Sequence, residues 1–359
     1  MDRDAAGGTL VLGGGFAGAY VARLLGKHGA TIVSPENFML YTPLLPEAAS
    51  GTLEPRHVVV PIRMMCPRAE LLLGRAVALD TAGRRVEAVT ENGRIAIGYR
   101  DVVVALGAVS RALPIPGLAD HALPFKSLDD AIRLRNHVLR RLEAAAAAET
   151  AARRSQELTF VFVGAGYAGV EALAELSDLV RDALRYYPSL RNERRRWLLV
   201  DAAGTILPEI PRRLGEYAAA QLARRGVEIL PRTTLVAAEA DAATLSNGER
   251  VPTSTLVWTA GVRAHPRLHE LGLPLDEDPV LGDAAERGVV AQRVADEVRQ
   301  LGKRLHARIA GTHEHERQLT LALLSRKLRV VTDWTTALFF RRDIAELGPL
   351  WQRRRLEDA

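Results

Sequence analysis

Two short stretches combine glycine spacing with flanking apolar runs in the way a diphosphate cradle requires. Thr9 to Leu12 is apolar and β-rich. Gly13-Gly14-Gly15-Phe16-Ala17-Gly18 follows at once, and then the helical pattern Ala19, Val21, Ala22, Leu24, Leu25. Much later Leu158 to Val163 runs into Gly164-Ala165-Gly166-Tyr167-Ala168-Gly169, ahead of a helical stretch from Val170 to Val180. In each copy the first glycine (Gly13, Gly164) permits the tight turn and the second (Gly15, Gly166) lets backbone N–H groups approach a pyrophosphate. The third (Gly18, Gly169) lets the helix pack closely, and the helix N-terminus stabilises the anion. A lone Gly-x-Gly-x-x-Gly says little, but two copies set between a strand and a helix form an internal repeat.

An acidic residue at the end of the next strand is expected to accept the ribose hydroxyls. In the second unit Asp201 ends Trp197-Leu198-Leu199-Val200, which favours NADH over NADPH. The next basic residues, Arg212 and Arg213, lie downstream, so a 2′-phosphate clamp is not evident, although a folded loop could supply one. In the first unit Ser34 stands at the equivalent place, with Glu36 two residues on. Either Glu36 takes the ribose contact or Ser34 makes a weaker one.

Two dinucleotide units imply two dinucleotides, and the economical pair is FAD with a nicotinamide nucleotide as hydride donor. Cys66 is the only cysteine, so no dithiol pair within the chain can relay electrons, and no thiolate zinc site can form within it. His313-Glu314-His315 lacks further ligands and reads as a surface loop, so no metal is expected.

The elements that must position these residues follow from the pattern. The chain has 359 residues, 48% of them hydrophobic and 25% charged, which fits two or three packed domains and excludes disorder or a polytopic membrane protein. Lys and Arg number 48, but only four are Lys, a skew that looks like GC-rich coding and gives little support to nucleic-acid binding. The short polar N-terminus, Met1 to Thr9, has no targeting pattern, so a cytoplasmic protein is the simplest expectation. Short strands at Leu71–Leu73, Ala76–Leu79, Arg85–Val89 and Arg94–Ile97 suggest a meander. The run Leu128 to Ala152, free of Gly and Pro, predicts one long helix with an exposed middle that bridges the two units. A hairpin is expected around Asn247-Gly248, and from the apolar strand Thr255–Thr259 onward the first domain is expected to resume.

At this point the chain resembles the type II NADH dehydrogenases, single-subunit NADH:quinone oxidoreductases of the two-dinucleotide-binding flavoproteins. The residues that carry the likeness are Val11 to Gly18, Asn37-Phe38-Met39-Leu40-Tyr41-Thr42-Pro43-Leu44-Leu45, Val103-Val104-Ala105-Leu106-Gly107, Phe162 to Glu171, Ile206-Leu207-Pro208 and Leu256-Val257-Trp258-Thr259-Ala260-Gly261-Val262. The resemblance implies that the first turn, Gly13, Gly15, Phe16, Ala17 and Gly18, holds FAD. Val77 would lie beside the adenine through its backbone, and the Ala105–Gly107 turn would approach the flavin nucleotide. The second turn, Gly164, Gly166, Tyr167, Ala168 and Gly169, would hold NADH with Asp201, Ala260 and Gly261. Glu171 would lie near the nicotinamide and flavin, steering the donor or relaying protons. Pro43, Leu44 and Leu45 would cover the flavin near the quinone entrance.

The family's long interval before the C-terminal helix is much shorter in this chain. Asp283 in Leu281-Gly282-Asp283-Ala284-Ala285 would be the remnant of an FAD-binding Gly-Asp turn, and Gln292 that of an Ala-Gln motif at the quinone site. Arg287 to Ala310 reads as a charged amphipathic surface helix. Between Lys303 and Arg342 nine Lys or Arg stand against three Asp or Glu, so this stretch alone carries more positive charge than the net +5 of the whole chain. With Trp334, Leu338, Phe339 and Phe340 beside those cations, the C-terminal segment suits an anionic membrane surface.

The expected architecture is therefore α/β, with two Rossmann-like dinucleotide-binding domains, the NAD domain inserted into the FAD domain, plus a C-terminal amphipathic helical segment. The FAD domain spans 1–125 and 254–318, the NAD(H) domain 126–253 and the membrane-surface segment 319–359. The expected activity is FAD-dependent transfer of hydride from NADH and of electrons onward to a quinone. The expected place is the cytoplasmic face of the cell membrane, held peripherally, with a homodimer possible. A soluble NADH reductase using oxygen or an iron–sulfur protein is one alternative. A catalytically impaired nucleotide binder, which the shortened interval would produce, is another.

Overall fold

The computed structural model describes residues 2–273. Asp283, Gln292, the helix expected at 287–310, the His313–His315 loop and the segment 319–359 lie outside the described residues. The chain divides into two compact units. The first holds residues up to Tyr41, Val59–Val109 and the chain from Val262; the second holds Thr42–Val58 and Ser110–Gly261.

The first unit is built on a parallel sheet in the order Asp101–Val104, Thr9–Leu12, Thr31–Ser34, Glu70–Leu73. Thr9–Leu12 is buried at every position, as a strand covered on both faces must be. Its helix Phe16–Leu25 buries Gly18, Ala19 and Ala22, and Val11, Ala19, Ile32 and Met65 meet in one core cluster. A second sheet packs its own core from Ala76, Val86, Ala88 and Ile97 against Leu10 and Leu12. It runs Asp2–Asp4, Gly93–Gly98, Arg85–Thr90, Arg75–Asp80. The last three strands are the expected meander, with Gly93 at φ 100° in the turn. Glu70–Leu73 is not part of it. That run pairs parallel with Thr31–Ser34, because its apolar residues complete the nucleotide-type sheet.

The second unit repeats the design with five parallel strands in the order Ala122–Pro124, Thr255–Trp258, Thr159–Val163, Arg196–Val200, Val227–Leu230. Phe160 stacks on Trp197 with ring centroids 4.2 Å apart, a contact of about 0.5–1.5 kcal/mol beyond its buried area. Thr255–Trp258 pairs with Phe160–Val163, so the strand expected to reopen the first domain belongs to the second sheet. The chain returns to the first unit at Val262 rather than at 254. A run as apolar as Leu256-Val257-Trp258 suits either sheet, and only the pairing decides between them.

The long helix expected over 128–152 is two helices, Leu128–Ala146 and Ala151–Glu157. Nothing in residues 147–150 is a strong breaker. The break persists because its polar groups are satisfied: Thr150 caps the second helix through the Arg153 N–H at 3.2 Å, and the Arg154 guanidinium donates to the Ala145 and Ala148 carbonyls. The middle of the first helix is buried, not exposed, through Leu134, Val138, Leu139 and Leu142. Both helices lie within the second unit, so neither bridges the two.

Leu128–Ala146 opens on a capping box in which the Ser127 hydroxyl accepts the Asp130 N–H and the Asp130 carboxylate accepts the Ser127 N–H. Ser127→Ala is expected to lower the unfolding free energy by about 1 kcal/mol, read as a lower urea midpoint at unchanged slope.

Candidate functional site

The two glycine turns share their backbone dihedral and their hydrogen bond. Gly13 has φ 109° and Gly164 φ 111°. Each donates its N–H at 2.8 Å to the last apolar residue of the neighbouring strand, Val33 in one unit and Val200 in the other. A Cβ on Gly18 would overlap the Gly13 carbonyl oxygen, and one on Gly169 the Gly164 carbonyl oxygen. The helices start at Phe16 and Tyr167, whose side chains are exposed. Ala17 and Ala168 follow in the first turns, where unpaired N–H groups face an anion.

A second pair of turns crosses the first pair, and this equivalence is not evident in the sequence. After Asp101–Val104 comes Ala105-Leu106-Gly107, with Gly107 at φ 74°; after Thr255–Trp258 comes Thr259-Ala260-Gly261, with Gly261 at φ 87°. Ala105 lies against Gly13, and Thr259 and Ala260 lie against Gly164. Thr259 was not singled out by spacing, yet its hydroxyl lies 3.0 and 2.9 Å from the Val163 and Gly164 carbonyls, to which it donates. It stands where Ala105 stands in the first unit.

The cradle of the first turn is open. A Cβ on Gly15 or on Gly107 would meet nothing within 4 Å. Ser34 is buried, and its hydroxyl packs against Gly14 and accepts the Glu36 N–H at 3.3 Å, while the Glu36 side chain is exposed. Ser34 is thus built into the turn and Glu36 is free to reach outward. Val77 falls at a bulge: Ala76 pairs with Ala88 and Ala78 with Glu87, so the ladder skips Val77 and leaves its backbone available. These features fit an FAD-type dinucleotide.

In the second unit Asp201 braces the turn. Its carboxylate accepts the Ala165 N–H at 2.5 Å and the Ala203 N–H at 2.6 Å. Leu207, at φ 49°, donates its N–H to the Ala165 carbonyl at 2.8 Å, which is the task of the Ile206-Leu207-Pro208 stretch. A Cβ on Gly166 would stand 3.3 Å from a Glu209 carboxylate oxygen. A side-chain anion therefore occupies the approach that a pyrophosphate would take. Glu209→Gln is expected to tighten binding of a diphosphate-bearing nucleotide at this turn about two- to fivefold by removing a like charge at a helix N-terminus, as measured by quenching of protein fluorescence.

Glu171 lies on Tyr167–Ala183, one helical turn before Glu175. Its carboxyl is held above the ordinary range, first by partial burial and then by Glu175. Glu47, on the helix Leu45–Ser50, is raised as well, by burial first and then by Glu175 and Glu171. One Glu47 carboxylate oxygen is buried without a hydrogen-bond partner. Ser50 and Thr52 donate hydroxyls to Glu175 at 2.6 and 3.0 Å, fastening the 42–58 segment to the helix that carries Glu171. Spacing singled out none of Glu47, Ser50, Thr52 and Glu175; the one available signal was the four-residue interval between Glu171 and Glu175. Of the residues expected at the quinone entrance, Pro43 is exposed, Leu44 is half-buried and Leu45 is buried.

Because the folded state holds the Glu47 proton more tightly than the unfolded chain does, it binds more protons as pH climbs from the ordinary glutamate range to the raised one. Stability from this group is full below the ordinary value and falls as pH rises through the raised one. Glu47→Gln is expected to melt with the parent at pH 4 and above it at pH 7, by calorimetry.

Among the described residues no group of His, Cys, Asp and Glu is placed to hold a metal ion, and no helix is long and apolar enough to cross a membrane. Cys66 is buried, its thiol pushed up to about 11 by desolvation, so it is held as an inert thiol.

Parallel sheets, paired glycine turns and crossing turns define a two-dinucleotide Rossmann-type protein. The chain belongs to the pyridine nucleotide-disulphide oxidoreductase family, whose sequence model matches residues 8–283. It is 31% identical over 278 residues to the Arabidopsis thaliana external alternative NAD(P)H-ubiquinone oxidoreductase B4, covering 72% of this chain and 47% of that protein. It is 29% identical over 266 residues to the Mycobacterium tuberculosis type II NADH:quinone oxidoreductase Ndh, covering 71% and 58%. The fold is shared with NDH2 from Plasmodium falciparum, solved in complex with NADH, at TM-score 0.68 and 20% identity over 77% of this chain and 59% of that one. The chain thus spans about half the length of the curated relatives it matches.

Proposed function

We propose that the protein is an FAD-dependent oxidoreductase that takes hydride from NADH and passes electrons to a quinone. The observation that carries this reading is the doubled cradle. Each unit has a strand, a glycine turn, a helix and a crossing turn with a left-handed glycine, and two cradles take two dinucleotides. The likeness to NADH:quinone oxidoreductases supports the assignment of donor and acceptor.

The first turn, Gly13 to Gly18, would hold the FAD diphosphate, with Glu36 at the ribose, Val77 at the adenine and Ala105–Gly107 over the nucleotide. Bound flavin supplies the chemistry of accepting a hydride and releasing electrons singly or in pairs. The second turn, Gly164 to Gly169, with Asp201, Ala260 and Gly261, would bind and orient NADH. Glu171, its carboxyl held above the usual range, retains a proton closer to neutrality than a free glutamate and is the group suited to holding or passing a proton near the reacting ends. Pro43 and Leu44 present apolar surface suited to a quinone ring. Asp283 and Gln292 are assigned here, on the resemblance, to the FAD and quinone sites. The cationic, aromatic segment 319–359 is assigned to the cytoplasmic membrane surface, and a homodimer is part of this reading.

The test is the visible spectrum of the purified protein before and after anaerobic NADH, followed by a soluble quinone. The expected result is a flavin spectrum that bleaches with NADH and returns with quinone. A spectrum that returns only with oxygen would replace the acceptor, and a colourless protein that FAD does not reconstitute would leave a nucleotide binder without turnover.

A further inference from the structure

The loop after Arg196–Val200 carries a cation that the donor-binding reading leaves unused. Val200 is in register with Leu230, so Asp201 and Arg232 leave the carboxyl ends of adjacent parallel strands, the edge where open α/β sheets bind ligands. The two loops are stitched together: the Arg232 N–H donates to the Ala203 carbonyl and the Thr233 N–H to the Asp201 carbonyl, each at 2.9 Å. Arg232 is held at φ 51°, an uncommon backbone for a residue with a side chain, and its side chain is exposed. Its guanidinium lies over Gly204, where an added Cβ would stand 3.5 Å from Nη1.

No carboxylate among the described residues pairs with Arg232. Glu228, on the strand leading to it, is taken by Arg194 and Arg196, and Glu249 by Arg196. Both Asp201 oxygens already accept backbone N–H groups. Arg212, the nearer of the two downstream cations, is paired with Glu216. An unpaired guanidinium therefore stands beside the loop that opens at Asp201.

We propose that Arg232 is a specificity-determining residue that receives the 2′-phosphate of NADPH, so that the second unit accepts the phosphorylated donor as well as NADH. The assignment rests on the reading of the second turn as the nicotinamide nucleotide site. A guanidinium pairs with phosphate oxygens through directed N–H groups, and its positive charge offsets the Asp201 carboxylate, which would otherwise repel a second anion. The absence of a side chain at Gly204 leaves the guanidinium its place over that loop.

The test is equilibrium binding of adenosine 2′,5′-diphosphate and of 5′-AMP to the full chain saturated with FAD, by calorimetry. The parent is expected to bind the 2′,5′-diphosphate at least as tightly as 5′-AMP. Arg232→Gln is expected to weaken the diphosphate roughly tenfold and 5′-AMP less than twofold, and Arg232→Lys to recover part of the loss. A parent that rejects the diphosphate, a variant that weakens both probes equally, or a selective loss in Arg213→Ala instead would overturn the assignment. Since the readout is binding, a protein that shows the selective loss but never passes hydride would count against the oxidoreductase reading and leave Arg232 in place.

Discussion

The closeness of a helix start to a strand end is the constraint on which both cradles depend. Gly18 and Gly169 lie so near the Gly13 and Gly164 carbonyl oxygens that no side chain fits. That approach aims the first N–H groups of each helix at the same point as the end of the strand. The left-handed conformations of Gly13 and Gly164 turn the chain into position, and the crossing turns at Ala105 and Thr259 close over them. Loss of any one contact would move the helix start outward and open the anion site to water.

Charge is distributed differently around the two cradles although their backbones match. In the first unit a buried serine packs against the turn and the nearest carboxylate, Glu36, is exposed. In the second a carboxylate itself braces the turn, and Glu209 stands at the anion approach. A helix N-terminus attracts either a side-chain or a ligand anion, and in the second unit the Glu209 carboxylate stands at that position. The same unit also gathers the Glu47, Glu171 and Glu175 carboxyls, whose burial and crowding raise Glu47 and Glu171, while the Ser50 and Thr52 hydroxyls donate to Glu175.

Features set by local backbone need were legible in the sequence. Only glycine suits a left-handed turn crossed by another backbone, so both glycine turns could be placed from residue types alone, and Asp201 could be set at its strand end, although its bracing of the turn could not be read. Features set by distant partners were not legible. The partition of Thr255–Trp258 into the second sheet depends on pairing with Phe160–Val163, and an apolar strand carries no mark of its neighbour. The break after Ala146 depends on Arg154 reaching back to free carbonyls, where propensity alone favours an unbroken helix. The tie between Ser50 and Glu175 spans 125 residues and has no spacing signature.

That last separation also bears on the order in which the second unit assembles. Ser50 and Thr52 are synthesised early, whereas the helix carrying Glu175 and the sheet beneath it come from Thr159 onward. Closing so long a loop costs more chain entropy than forming the local strand–helix units, so those units are expected to form first and to capture the 42–58 segment afterwards. Until then the apolar side chains of Leu45 and Leu53, buried in the finished protein, remain in water. In the growing chain this early segment is therefore expected to stay exposed until the helices Leu128–Ala146 and Tyr167–Ala183 that pack on it have been translated.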